Sequence, residues 1–300
     1  MGPPRGLSDG KIEGIVTDRT LPPTPDPPLT DRAYRYLAEM IYRCSRIRLG
    51  PDRRAFMAGR LAGRLRELGC RSFDDYCRLL EPEGSEETER LIELVATNHT
   101  RFFREPAHFE YLAADVLPAA DERARAEGRD IRVWCAAAAS GEEAYSLAIV
   151  LAEHVRGRPG IGWQVTASDI APRMLARCRA GIYEAGRVRL PRPEWLGRYF
   201  RRGFGEREGA CRVKPAIRHR VTTAMINLFQ DSYPLAEGQD VIFCRNVMIY
   251  FDEPSRQTLV ERLHDRLAPG GHLFVGHAET LLGLRHRFRQ VRPAVYQRAD

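Results

Sequence analysis

Two adjacent carboxylates, Glu142 and Glu143, follow directly on a run of small residues at 136–141. Small side chains let a ligand approach the backbone, and a helix start offers unpaired N–H groups to an anion. Two carboxylates there can complement the helix dipole or hold a cationic group of the same ligand. The run holds a single glycine, Gly141, instead of G-x-G-x-x-G, which argues against a dinucleotide pyrophosphate. Further on, Asp169 closes a second strand candidate at 163–167. An acid ending the second strand of a nucleoside-binding domain accepts the ribose hydroxyls; an Asp there also caps the next helix. Arg245 and Asn246 follow the apolar run 240–244, and Tyr250 comes shortly after. Ligands of open α/β sheets bind beyond the carboxyl ends of strands, which makes these polar residues site candidates. His277, after the run 273–276, is open to a ligand or base role and to a structural one.

These residues need elements to place them. Residues 131–135 read as a strand, and Glu142 opens a helix with Leu147, Ile149, Val150 and Leu151 on its apolar side. Strand, small-residue turn and helix is how a doubly wound α/β domain begins its ligand site. Strands at 163–167, 240–244 and 273–276 alternate with helices at 172–179 and 254–267, and 269–271 reads as an exit turn. Two last strands fall near 287–291 and 294–297. The glycine-rich stretch 203–223, with alternating Val213, Ile217 and Val221, reads as a hairpin or small antiparallel insertion.

Ahead of this lies a different texture. Thr30 is placed to cap a helix carrying Tyr34, Leu37, Ile41 and Tyr42 inward. A second helix at 52–68 turns Phe56, Met57, Leu61, Leu65 and Leu68 inward and stops at Gly69. Ser72 and Ser85 are placed to cap two more. Residues 30–96 thus read as a small all-helical domain, its polar faces crowded with arginines such as Arg46, Arg53 and Arg60. That crowding suits a solvated surface or a contact face for an acidic partner. Residues 97–105 read as an inter-domain loop pinned by Phe102 and Phe103, with Pro106 opening a helix to about 116. Residues 1–29 are rich in proline and read as an extended or disordered tail.

The chain has 300 residues and a net charge of +7 at neutral pH, almost all from arginine. The charge suits an acidic partner without choosing one. No apolar run approaches the roughly 20 residues of a membrane span, and no secretory leader is visible. The seven cysteines show no zinc spacing and fit reduced thiols in a cytoplasm. No metal site is expected.

Taken in order, these stretches resemble the chemoreceptor glutamate methyltransferases, the CheR family. The carriers are TNHTRFFRE at 97–105, WCAAAASGEEAYSLA at 134–148, ASDI at 167–170, GIY at 181–183, NL at 227–228, FCRNVMIYF at 243–251 and GGHLFVGHAE at 270–279. The helical segment matches the family's N-terminal domain in size and position. Departures are Ser140 where the family usually has Thr, Ala144 for Pro, Ala278 for Ser, and a histidine at His99.

The resemblance implies a Rossmann-like class I methyltransferase domain over 97–300 with a β insertion at about 203–222. It implies S-adenosylmethionine as donor, S-adenosylhomocysteine as product, and a glutamate γ-carboxylate as acceptor. Asn98, Thr100 and Arg104 would close over the donor, Asn227 and Leu228 would hold adenine, and Arg245 and Asn246 would complete the floor near the sulfonium. Glu142 or Glu143 suits the ammonium and Asp169 the ribose. Arg104 would pair with the incoming carboxylate and Tyr250 would orient it. Receptor methylation helices present acidic stripes, which Arg46, Arg53 and Arg60 would steer. With the donor site in the other domain, those arginines should not affect donor affinity. The insertion would dock a receptor C-terminal peptide in those members that use one. A monomer in the cytoplasm, without membrane insertion, is expected.

Two rivals remain. A nucleic-acid methyltransferase would suit the charge, but N-P-P-Y is replaced by Arg245-Asn246-Val247-Met248, and no base-stacking aromatic set stands out. A donor-binding scaffold without turnover, or a related enzyme serving another signalling array, would share most of these residues.

Overall fold

The computed structural model describes Gly2 and residues 27–81 and 85–299. Apart from Gly2 and residues 27–29, the expected proline-rich tail lies outside the described residues.

Four helices come first: α1 (Asp31–Ser45), α2 (Arg54–Glu67), α3 (Phe73–Leu79) and α4 (Glu86–Val95). Their starts are set by side chains that satisfy orphan N–H groups. Thr30 accepts from Ala33, Ser72 and Asp75 form a reciprocal capping box, and Ser85 accepts from Thr88. The inward faces, including Leu37, Ile41, Met57, Leu61, Leu65, Tyr76 and Leu91, form one core. Leu68 is exposed instead of inward: it is the C-cap of α2, just before Gly69 turns the chain at φ +67°.

The α/β body begins with α5 (Pro106–Tyr111), which runs through a π-helical segment at Leu112–Val116 into α6 (Leu117–Ala126). The helix expected to end near 116 therefore continues for three more turns, with Pro118 directly after the π-helical segment. Next come β1 (Ile131–Ala136), α7 (Glu142–Val155), β2 (Trp163–Asp169), α8 (Pro172–Ala180), β3 (Ile182–Glu184), α9 (Glu194–Tyr199), β4 (Phe200–Arg202), β5 (Ala210–Val213), α10 (Pro215–Arg218), β6 (Val221–Met225), β7 (Gln239–Cys244), α11 (Glu253–Arg266), β8 (Leu267–Phe274), β9 (Phe288–Arg292) and β10 (Val295–Arg298).

Seven strands form one sheet in the order β6-β2-β1-β7-β8-β10-β9. The first five are parallel and β10 is antiparallel to both β8 and β9. Alternate residues feed two cores on opposite faces. Val133, Cys135, Val165, Val241 and Phe243 pack on one side, Trp134, Ala136, Ile242 and Cys244 on the other. This is the doubly wound arrangement expected, and its order reverses direction between β1 and β7.

Two expectations are corrected. The small antiparallel insertion is present, but not as a hairpin within 203–222. A three-stranded antiparallel sheet, β3-β5-β4, draws on 182–184, 200–202 and 210–213, and Val221 instead opens β6, parallel to β2. Residues 269–271 lie within β8, where a register shift against β7 absorbs the glycine pair.

Candidate functional site

A large cavity opens where the strand order reverses, beyond the carboxyl ends of β1, β2 and β7. Among its lining residues are Asn98, Thr100, Arg104, Glu143, Asp169, Asn227, Leu228, Arg245, Asn246 and Tyr250. These ten residues, all singled out from sequence, thus meet in one place, although they come from five separate stretches.

The turn after β1 shapes one wall. Ala137 and Ala139 sit at φ +57° and +47° and Gly141 at +96°. Left-handed alanines cost about 1–2 kcal/mol each; here backbone bonds help hold the turn, Ala138 N–H to Ser168 and Gly141 N–H to Ala138. At Gly141 an added Cβ would meet Cys178 Sγ at 2.5 Å, which explains the glycine. Asp169, only 6% exposed, accepts from Ala139 N at 2.8 Å and from Ala171 N at 2.9 Å. It therefore ties the turn to the end of β2 while lining the cavity. Burial raises its carboxyl above the ordinary value, partly countered by those amides.

Of the paired carboxylates, only Glu143 lines the cavity. Glu142 accepts from Ser140 Oγ at 2.7 Å instead. Glu143 lies 3.1 Å from Arg245 Nη1, and burial pushes its carboxyl up despite that guanidinium.

Arg245 is fully buried and also pairs with Glu105 at 2.9 Å and donates to the Arg104 carbonyl at 2.6 Å. Its Nε and Nη1 make no hydrogen bond to the described residues. Burial works to raise the Glu105 carboxyl, but Arg245, the Asn246 amide and His277 outweigh it and hold it low. Asn246 is itself left-handed at φ +58°. Its side chain donates to Glu105 at 3.3 Å, and its backbone N–H donates to Glu279 at 2.7 Å. Glu105 and Glu279 carry much of the site's geometry, a part not expected of them although they lie within TNHTRFFRE and GGHLFVGHAE.

The loop 97–105 is anchored as expected. Phe102 and Phe103 are buried, Phe102 edge-on to Tyr183 at 5.0 Å, and Phe103 N–H donates to Ser146 Oγ at 2.9 Å. Arg104 donates to the His99 carbonyl and stays partly exposed at the cavity.

The helical domain forms part of the cavity wall, through Ser45, Ile47, Arg48, Leu49, Arg53 and Phe56. Asn227 Nδ2 donates to the Cys44 carbonyl at 2.6 Å, and Arg48 N–H donates to the Tyr250 carbonyl at 2.9 Å. Tyr42 Oη reaches Asp252 Oδ2 at 2.6 Å. The expectation that the pocket belongs to one domain is thus corrected, because α1 ends against it. Arg53 lines the cavity, while Arg46 and Arg60 are exposed outside it; Arg53 and Arg60 both stack on Phe56.

His277 does not line the cavity. Its ring is exposed, and its N–H donates to Glu105 Oε2 at 3.1 Å. Glu105, His108 and His277 bring potential ligand atoms within 4.8 Å of one another. Glu105 Oε2 is already taken by Arg245 and the His277 N–H, so a cation there would have to displace a guanidinium.

The residues fit a nucleoside donor bearing an ammonium and a carboxylate. Glu143 is a buried acid only partly compensated, and Arg245 has buried N–H groups in need of an acceptor. The seven cysteines are all free. Among the described residues, no helix is long and apolar enough to cross a membrane.

Comparison with known proteins gives the same outline. Residues 98–296 match the family model described as CheR methyltransferase, SAM binding domain, and residues 32–96 match CheR methyltransferase, all-alpha domain. The chemotaxis protein methyltransferase of Escherichia coli is 40% identical over 269 residues, covering 89% of this chain and 91% of the relative. That of Salmonella typhimurium is 39% identical, covering 89% and 90%. Chemotaxis protein methyltransferase 2 of Pseudomonas aeruginosa is 37% identical, covering 92% and 99%.

Proposed function

This chain belongs to the CheR methyltransferase family, and we propose that it esterifies glutamate side chains of chemoreceptors. It is a methyltransferase, and S-adenosylmethionine is its methyl donor. The observation that carries the reading is the cavity at the β1/β7 reversal, which gathers an acid for ribose, an acid for ammonium and an arginine with a tyrosine at one opening.

The bound donor supplies an electrophilic methyl group on a sulfonium. Around it, Asp169 accepts the ribose hydroxyls, and Glu143 faces the ammonium. Arg245 offers its buried N–H groups to the donor carboxylate, and Asn246 completes the floor. Leu228 packs on adenine. Asn227, whose Oδ1 accepts from Phe229 N and whose Nδ2 donates to Cys44, contributes its remaining amide hydrogen. Asn98, Thr100 and Arg104 close the loop above. Arg104 pairs with the incoming carboxylate, since a planar guanidinium matches it better than an ammonium would. Tyr250 orients that carboxylate by a hydrogen bond. A glutamate with an ordinary pKa of about 4.3 is ionised at neutral pH, so no side chain has to take a proton. Alignment and water exclusion carry the rate, an effect worth up to about 7–11 kcal/mol.

In this reading residues 30–96 guide the receptor's acidic methylation helices through Arg46, Arg53 and Arg60, and residues 97–300 transfer the methyl group. The exposed edges of the β3-β5-β4 sheet suit an extended receptor peptide by strand addition. The protein acts as a cytoplasmic monomer. Incubation with labelled donor and receptor cytoplasmic fragments tests the proposal. Base-labile label on receptor glutamates supports it; base-stable label, or none, refutes it.

A further inference from the structure

The segment between β7 and α11 carries Arg245, Asn246 and Tyr250, and its shape is not set by regular structure beyond one 3-10 turn, Met248–Tyr250. Three backbone N–H groups in and beside it converge on one buried side chain. Glu279 Oε2 accepts from Asn246 N at 2.7 Å and from Gly276 N at 2.6 Å; Glu279 Oε1 accepts from Ile249 N at 3.3 Å. Glu279 is 7% exposed and does not line the cavity.

The neighbourhood leaves little slack. Asn246 sits in the left-handed region, which asparagine tolerates better than other side-chain-bearing residues. A Cβ on Gly276 would fall 2.4 Å from Asn246 Nδ2 and 2.8 Å from Glu279 Oε2, so glycine is required for the carboxylate to reach. Three donors need a group that only accepts. Glutamine has the same shape but carries an NH2 in place of one oxygen, which would face an N–H.

We propose that Glu279 is a positioning residue for methyl transfer, folding the 245–250 segment so that Tyr250 and the Asn246 amide stand at the reacting centre. The inference rests on the role given above to Tyr250. Glu279 touches neither donor nor acceptor; it acts through the backbone of the residues that do.

The test is a double-mutant cycle on the full chain with Glu279→Gln and Tyr250→Phe. Methylation of a receptor fragment is measured at saturating donor and receptor, alongside donor affinity and the melting temperature. Glu279→Gln should lower kcat by about 10-fold or more, on the scale of a lost hydrogen bond to a charged group. If Glu279 works through Tyr250, the double variant should be no slower than the slower single variant, within about threefold. Losses that multiply would mean Glu279 acts independently, and the proposal fails. It also fails if folded Glu279→Gln keeps the wild-type rate while Tyr250→Phe is slow. A Tyr250→Phe variant at full rate would instead sink the role of Tyr250, and this proposal with it. Should Glu279→Gln not fold, Glu279→Asp enters the same cycle, because it keeps an acceptor-only carboxylate but withdraws it by one methylene.

Discussion

Replacing Asp169 by alanine should strike two properties at once, in amounts the structure sets. Its two oxygens accept from Ala139 N at 2.8 Å and Ala171 N at 2.9 Å, in a place only 6% exposed. A buried N–H left without a partner costs about 1–3 kcal/mol, so two should cost the fold roughly 2–6 kcal/mol. The donor should lose a charge-assisted bond worth about 1.5–3 kcal/mol, roughly a 10- to 150-fold weaker Kd. Asp169→Asn should fall between, because one oxygen survives while the new NH2 opposes an amide. Calorimetric titration with S-adenosylhomocysteine, which is not turned over, reads the affinity; thermal melts read the stability. If Asp169→Ala melts lower but binds S-adenosylhomocysteine like wild type, Asp169 only ties the turn to β2. If it melts like wild type, the two amide contacts are wrong as well.

The arginine face should separate into two classes: Arg46→Glu with Arg60→Glu should raise the KM for receptor several-fold and leave donor Kd alone, whereas adding Arg53→Glu should weaken the donor too, because Arg53 lines the cavity. Equal donor Kd in the double and triple variants would contradict that division. The single-turnover rate should be nearly flat from about pH 6 to 8.5, and His277→Gln should keep most of it, since the acceptor needs no base. A limb near pH 6.5 that vanishes in His277→Gln would mean an acceptor that has to lose a proton. Burial and the Arg245 charge push His108 down from 6.5 to about 4, and burial with Arg123 does the same to His272. A folded-state value below the unfolded one favours the neutral ring, so this stability is full above about 6.5 and lost as pH falls toward 4. His108→Leu should therefore flatten part of the decline in melting temperature between pH 6.5 and 4; an unchanged slope would refute the assignment.

The parallel strands and capped helices were legible because local rules set them. Thr30, Ser72 and Ser85 cap where their side chains say they should, and continuous apolar runs became buried strands. Errors arose where tertiary context overrode a local signal. Gly270 and Gly271 punctuate like a turn, yet pairing between β7 and β8 carries them within a strand. Val221 alternates with Val213, but the two strands belong to different sheets. The site's residue types were legible in the same way, since acid, amide and arginine at strand ends announce chemistry. Glu105 and Glu279 were not, because their work is to receive N–H groups from segments about 140 and 30 residues away, which no spacing rule encodes. The choice between Glu142 and Glu143 needed the rotation of α7.

The joints that press the helical domain onto the pocket run largely through main-chain atoms, the Cys44 carbonyl and the Arg48 N–H. Such joints do not depend on which side chain stands at 44 or 48, only on the path of the chain. The surface of the helical domain can therefore drift in sequence while the transfer chemistry stays in register. Insertions or deletions between 44 and 50 have no such freedom. A chimera that grafts a relative's helical domain should work when that connecting length is kept and fail when it changes by a single residue.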